Sequence, residues 1–238
     1  MAPVALITGA AGGIGGAALQ RFVAGGWMVA AVDLNEVAGD NDVLSIRADL
    51  ADVAHCRRAV AEAVEWAGRL DAVVNAAGVW TEGASADTTE AEWDRVVDLN
   101  LKGLYFVSSA AIPHLTSTRG CIVNMSSDAG VQGNAGAAVY CASKGGVTNL
   151  TRAIALEVAG AGITVNAVSP GWISTGAQLI GEHSAGKYTP LGRSGTPDEV
   201  AAAVRFLADP TASFITAQQL VVDGGNSLPE DRSWRPSH

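Results

Sequence analysis

Charge is scarce in this 238-residue chain: Asp, Glu, Lys and Arg make up 16% of it, against 48% hydrophobic residues. Much of the chain must therefore be buried, and its length suits one sizeable α/β domain. No basic cluster is present and the formal net charge is −9, which argues against nucleic acid and anionic membranes as partners. Long apolar runs are missing too. The longest, Phe22 to Val32, is broken by Gly25-Gly26. It is too short to span a bilayer and reads as a helix end feeding a buried strand. No basic leader precedes the strand-like Val4-Ala5-Leu6-Ile7, so no targeting segment is expected. Cys56, Cys121 and Cys141 are odd in number and far apart, which predicts reduced thiols in a cytoplasm. Cys141 reads as a small buried filler rather than a reactive thiol. His55, His114, His183 and His238 lack ligand spacing, so no metal site is expected. Without linkers, repeats or low-complexity stretches, residues 1–238 are expected to form one domain with an irregular tail from about Asn226.

What the chain does contain is a regular alternation. Val4–Thr8, Met28–Val32, Val43–Arg47, Asp71–Asn75, Cys121–Met125, Ile163–Val168 and Gln219–Val222 are predicted strands. Most are continuous apolar runs, the signature of a parallel sheet covered by helices on both faces. Helices are expected from the first glycine-rich turn through Ala24, from about Asp52 to Ala67, and from Thr89 to near Leu115. Two more are expected, from Ala138 to about Ala159 and from Thr196 to about Ala208. Thr89-Glu90-Ala91-Glu92 predicts a capping box; Thr196-Pro197-Asp198-Glu199 combines an N-cap Thr, an N1 proline and a capping Glu. Only Leu34 to Asp42 separates the second strand from the third, room for one helical turn at most.

Two stretches carry chemistry. The first strand runs into Gly9-Ala10-Ala11-Gly12-Gly13-Ile14-Gly15, a turn whose backbone N–H groups can approach a pyrophosphate at a helix N-terminus. The second strand ends at Asp33, where a carboxylate is placed to hydrogen-bond a ribose 2′-hydroxyl. Strand, glycines, helix, strand and acid together predict dinucleotide binding. Further on, Tyr140 and Lys144 stand at i and i+4 on one face of a predicted helix. A phenol titrates near ~10, too high for efficient proton transfer at neutral pH, and a neighbouring ammonium is expected to lower that value.

With Thr8-Gly-x-x-x-Gly13-x-Gly15, Asn75-Ala76-Ala77-Gly78, Asn100, Ser127, Tyr140-x-x-x-Lys144 and Pro170-Gly171 in this order, the sequence resembles the short-chain dehydrogenase/reductase family. The likeness runs from Val4 to Gly225. It implies a doubly wound Rossmann-type α/β fold with a seven-stranded parallel sheet. It also implies Tyr140 as general acid/base and Lys144 as holder of the nicotinamide ribose and depressor of the Tyr140 pKa. Ser127 would hydrogen-bond the substrate oxygen, and Asn100 would anchor a water in a relay with Lys144. Thr8, Gly9, Gly12, Gly13, Ile14 and Gly15 match the coenzyme loop, Asp33 the adenosine ribose contact and Asp49 the adenine contact. Asn75 and Gly78 match supports of the coenzyme cleft, and Ile173 and Thr175 match contacts to the nicotinamide carboxamide. Leu34, Leu50, Ala76, Pro170 and Gly171 are assigned to the same coenzyme site.

The substrate is expected to be a secondary alcohol or ketone. Position beyond strand ends nominates Trp80, Asp128, Gln132, Trp172, Gln178, His183 and Tyr188 as pocket residues. Asp33 without a basic neighbour at Gly12 or Leu34 predicts NAD rather than NADP. Two other readings stand beside this one: an NADP-dependent 3-oxoacyl reductase, and a catalytically idle coenzyme-binding regulator. The helices about Thr89–Leu115 and Ala138–Ala159 are apolar on more than one face. That pattern and the resemblance together imply a homotetramer.

Overall fold

Apolar runs this continuous need cover on both faces, and they find it in a seven-stranded sheet ordered β3-β2-β1-β4-β5-β6-β7. The computed structural model describes residues 2–175 and 186–228. The strands are β1 (Val4–Thr8), β2 (Met28–Asp33), β3 (Val43–Arg47), β4 (Ala72–Asn75), β5 (Cys121–Met125), β6 (Thr164–Pro170) and β7 (Gln219–Val222). Every neighbouring pair is parallel. The chain builds outward from β1 to β3, then returns to lay β4 against the other side of β1. At that reversal the connections leave in opposite directions, and a crevice opens beyond the carboxyl ends of β1 and β4.

The two faces are packed separately. Leu6, Val32, Val73 and Ile122 point to one side. They pack with α2 (Val53–Ala67), α4 (Leu104–Leu115) and α5 (Ala138–Val158). Ile7, Ala31, Val74 and Val123 point to the other, against α1 (Gly13–Ala24) and α6 (Pro197–Leu207). Successive residues of one strand thus alternate between two apolar cores, as the pleat requires. A buried polar group crosses the first layer. Asn75 donates to Ser108 Oγ at 2.9 Å and to Asn124 Oδ1 at 2.9 Å, and Asn124 donates to Thr151 Oγ1 at 3.0 Å. It ties β4 and β5 to α4 and α5.

The expected element boundaries hold to within two residues at most ends. The capping box that opens α6 is complete, with Glu199 N on Thr196 Oγ1 at 3.2 Å and Thr196 N on Glu199 Oε2 at 2.8 Å. The segment 34–42 forms no helical turn, within the limit its length sets. Two details differ. The capping box at Thr89 is half made: Thr89 Oγ1 accepts from Glu92 N at 3.2 Å, while the Glu92 carboxylate turns to the Thr81 hydroxyl. The long helix after β4 is three pieces: α3 (Glu90–Val97), a π-wound stretch Asp98–Gly103 and α4. Gly103 lies against the chain at Leu50 so closely that an added Cβ would overlap the Leu50 carbonyl oxygen. Widened turns of this kind recur at functional sites.

Gly103→Ala is therefore expected to lower stability by about 1–3 kcal/mol, the cost of overpacking. Gly160→Ala, exposed with nothing within 4 Å of its new Cβ, is expected to stay within about 0.5 kcal/mol of the parent. Urea midpoints of the two variants check the contrast.

Candidate active site

Gly9 adopts φ +69°, a conformation glycine reaches without strain, and a Cβ there would sit 2.8 Å from the Ala77 backbone. The ends of β1 and β4 thus touch. Thr8 strengthens the contact, its Oγ1 accepting from Ala76 N at 3.0 Å and Ala77 N at 3.1 Å. The turn delivers Gly12 as the N-cap of α1, with no side-chain cap and no acid in the first turn. The first N–H groups of this helix are left for an anion.

Around this turn lies a cavity of about 830 Å³. Gly9, Gly12, Gly13, Ile14, Gly15, Asp33, Leu34, Asp49, Leu50, Ala76, Gly78 and Thr175 line it, all of them nominated from sequence. Asn35, Ala48, Val79 and Leu99 also line it and were not nominated. Asp33 is pinned at the rim: one carboxylate oxygen accepts from Ala11 N at 3.0 Å and the other from Asn35 N at 2.9 Å. Asp49 accepts from Ala51 N at 3.0 Å. Two nominated residues stand behind the wall rather than in it. Thr8 joins the two strand ends, and Asn75 turns inward to the buried amide group described above.

A second cavity of about 570 Å³ adjoins the first and shares Ile14, Ala76, Gly78, Val79 and Thr175 with it. Ser127, Tyr140, Lys144, Trp80, Trp172, Pro170, Gly171 and Ile173 line it, together with Met125, Ser126 and Arg95, which sequence reading missed. Arg95 lies on α3, and no motif marks that helix as part of the site. The Trp80 ring meets the Tyr140 ring edge-on at 4.5 Å and 63°.

Lys144 is 4% exposed. Its ammonium donates to the Met125 carbonyl at 2.9 Å and stands 5.6 Å from the centre of the Tyr140 ring. Burial pulls its pKa down to about 8. Burial also pushes the Tyr140 phenol up to about 12. The expected lowering of Tyr140 by Lys144 is thus not what this structure gives. The ammonium faces the ring and the Met125 carbonyl, and desolvation of the phenol dominates. Ser127 Oγ donates to Asp128 Oδ1 at 3.0 Å and accepts from Ala129 N at 3.2 Å.

Asn100, in the π-wound stretch, reaches the site from behind. It accepts from Val79 N at 2.8 Å and donates to Val79 O at 2.9 Å and Ser143 Oγ at 3.2 Å. Its side chain buttresses Gly78, where an added Cβ would lie 3.2 Å from Asn100 Oδ1 and 3.4 Å from Lys144 Nζ. Asp128 is buried outside the cleft, with Oδ2 accepting from Asn226 at 3.0 Å. Gln132 and Tyr188 do not line the cleft, and Gln178 and His183 lie outside the described residues.

The family model described as enoyl-(acyl carrier protein) reductase matches residues 9–227. The meso-2,3-butanediol dehydrogenase of Serratia marcescens is 39% identical over 235 residues, 93% of each chain. A 3-oxoacyl-[acyl-carrier-protein] reductase of Thermotoga maritima is 38% identical over 237 residues, 93% of this chain and 96% of its own. In structure, the 3-ketoacyl-(acyl-carrier-protein) reductase of Brucella melitensis complexed with NADH superposes with a TM-score of 0.89 at 34% identity. It covers 95% of this chain and 98% of that one. With these likenesses spanning nearly its whole length, the chain belongs to the short-chain dehydrogenase/reductase family of oxidoreductases.

Proposed function

We propose that the protein is an NAD(H)-dependent oxidoreductase of a secondary alcohol and its ketone. The observation that carries this reading is the opening of Ser127, Tyr140 and Lys144 into a cleft continuous with the glycine-lined cavity. The residues of that cavity fit a dinucleotide: bare first-turn N–H groups for a pyrophosphate, a pinned Asp33 for a ribose, and glycines where a Cβ would obstruct. When bound, such a coenzyme supplies or accepts hydride. Tyr140 holds the proton that is exchanged with the substrate oxygen, Ser127 aims that oxygen, and Lys144 holds positive charge beneath the phenol. An idle coenzyme-binding regulator has no need of this set. A 3-oxoacyl reductase remains the second reading, favoured by relatives of that name. A panel of acetoin, cyclohexanone and ethyl acetoacetate, followed by NADH and by NADPH absorbance, separates the readings. Preference for the 3-oxo ester selects the reductase, and coenzyme binding without turnover of any ketone selects the regulator. The three free cysteines support a cytoplasmic setting.

Tyr140→Phe is expected to leave coenzyme affinity nearly unchanged and to cut turnover by ~10²–10⁴-fold, the contribution of a placed acid/base group. Ser127→Ala is expected to lose much of the same. A Tyr140→Phe enzyme retaining a tenth of the parent rate would reveal another proton carrier.

Coenzyme choice rests on Asp33. A 2′-phosphate would bring like charge to this carboxylate, and one pair of like charges at 4 Å costs roughly 4 kcal/mol at an effective dielectric near 20. Arg47 pairs with Asp33 across the β2–β3 ladder, but its Nε donates to the Leu34 carbonyl at 3.1 Å and it does not line the cavity. NAD is therefore expected to exceed NADP by at least about a hundredfold in kcat/KM, roughly 2.7 kcal/mol. Asp33→Ala with Leu34→Arg is expected to shrink or invert that ratio. Equal efficiency of the two coenzymes in the parent enzyme would refute the assignment.

For assembly we propose a homotetramer. Two separate apolar faces support it, as the two independent contacts of a closed tetramer require. One is a groove of about 530 Å³ lined by Val97, Leu101, Tyr105, Leu150 and Ala153. The other is the α6 and β7 side, where Phe206, Phe214, Leu220 and Val221 are exposed. Light scattering at micromolar concentration is expected to give four times the 24.2 kDa chain mass, and a monomer would refute it.

A further inference from the structure

Ser127 has one hydroxyl proton, and its two hydrogen-bond partners fix where it points. Ala129 N donates to its oxygen at 3.2 Å. Asp128 Oδ1, 3.0 Å away, receives the proton itself. In that arrangement the hydroxyl turns a lone pair, not a proton, toward the cleft. Yet a ketone oxygen taking up hydride-derived charge needs donors. The proton that an aiming residue should offer the substrate is the one that Asp128 draws away.

Asp128 sits in a built setting. It is 7% exposed, and its other oxygen accepts from the Asn226 amide at 3.0 Å, from the turn after β7. That turn is held by Asp223, which accepts from Gly225 N at 2.8 Å and Ser227 N at 2.6 Å. With Asn226 donating to Oδ2, a proton taken up by Asp128 on Oδ1 faces Ser127 and finds an acceptor there. The neutral acid then donates to Ser127 Oγ, and the serine proton is released toward the cleft.

We propose that Asp128 is a positioning residue which, through its charge state, decides whether Ser127 presents a proton or a lone pair to the substrate oxygen. This rests on the oxidoreductase reading above, in which Ser127 touches that oxygen. The charged groups around Asp128 favour its neutral form. Asp223 faces it from the β7 turn as a second carboxylate, Tyr140 on α5 is uncharged, and Lys144 directs its ammonium to the Met125 carbonyl. Burial first, with Asp223 adding to it, raises the Asp128 pKa; the Asn226 and Ser127 hydrogen bonds pull the other way. The sign follows. Below the raised pKa Asp128 is neutral and Ser127 donates; as pH rises through it, the donor is lost and ketone reduction slows.

The test is kcat/KM for reduction of the fastest ketone of the panel at saturating NADH, measured from about pH 5 to 7, below both the phenol and the Lys144 ammonium at about 8. The parent enzyme is expected to fall by roughly tenfold or more, the scale of one lost oxyanion donor. In Asp128→Asn the amide oxygen accepts from Asn226 and the NH₂ donates to Ser127, copying the neutral acid at every pH, so the fall is expected to vanish. Asn226→Ala removes a donor that favours the charged form, so the fall is expected to move to higher pH. It carries the test on its own should Asp128→Asn not fold. An unchanged fall in either variant overturns the proposal. Ser127→Ala separates the two levels: full activity there sinks the oxidoreductase role of Ser127 itself. Loss there with an unchanged fall in Asp128→Asn sinks only the role of Asp128.

Discussion

Withdrawing the Lys144 ammonium from water costs free energy that local hydrogen bonding must offset. Much of the neighbourhood answers to that requirement. The Met125 carbonyl, at the end of β5, takes one of its protons. Ser126 Oγ, one residue on, donates to the Lys144 carbonyl at 3.0 Å and pairs with Thr148 at 2.8 Å. The start of α5 is thereby bolted to the end of β5. Gly78 leaves the space that Nζ occupies, and Asn100 closes it from the other side. Deeper in, the Asn75–Asn124–Thr151 chain fixes the same helix to the same strands. Tyr140 inherits its position from this anchoring, because it stands one turn before Lys144 on a helix that cannot slide.

The same burial sets the electrostatics. It moves Lys144 down to about 8 and Tyr140 up to about 12, opposite directions with one cause, since each shift favours the uncharged form. Pairing with Lys144 alone does not make a phenolate at neutral pH. For Tyr140 to act as the proposed proton carrier, positive charge must first be brought to the cleft. That requirement suits a site whose proton transfer should wait until the neighbouring cavity is filled. Cys56 and Cys121, pushed up to about 11 and about 12 by burial, are unreactive thiols by the same reasoning.

How much of this was legible depends on whether the signal is local. Continuous apolar runs gave the strands, and Thr196-Pro197-Asp198-Glu199 gave the start of α6, because cap and partner lie three residues apart. The glycine turn and Asp33 were legible as a unit because strand, turn, helix and strand follow in a fixed order. Partner choice across the fold was not. Glu92 satisfies the local rule for a capping box, yet Thr81, from the preceding loop, captures its carboxylate. The π-wound stretch around Asn100 answers to Leu50, far away in sequence, which no helix periodicity encodes. Tyr140 and Lys144 were correctly placed on one face, but the direction of the ammonium depends on a carbonyl from β5. Asp128 was read as facing substrate; its two oxygens instead join Ser127 to Asn226, 98 positions away.

The long-range bond from Ala11 to Asp33 adds a constraint that neither motif carries alone. Asp33 is usually considered for what it offers a ribose, but one of its oxygens also accepts from Ala11 N in the glycine turn. The same carboxylate accepts from Asn35 N, so it braces the turn and the chain that leaves β2 against each other. The acid proposed to discriminate between coenzymes therefore also shapes the glycine turn. Removing it relieves repulsion of a 2′-phosphate and at the same time leaves Ala11 N without its partner, a loss of about 0.5–1.5 kcal/mol for an ordinary hydrogen bond. A relaxed coenzyme preference at this position thus carries a weaker grip on both coenzymes. An asparagine, which retains an acceptor for Ala11, separates the loss of charge from the loss of the brace.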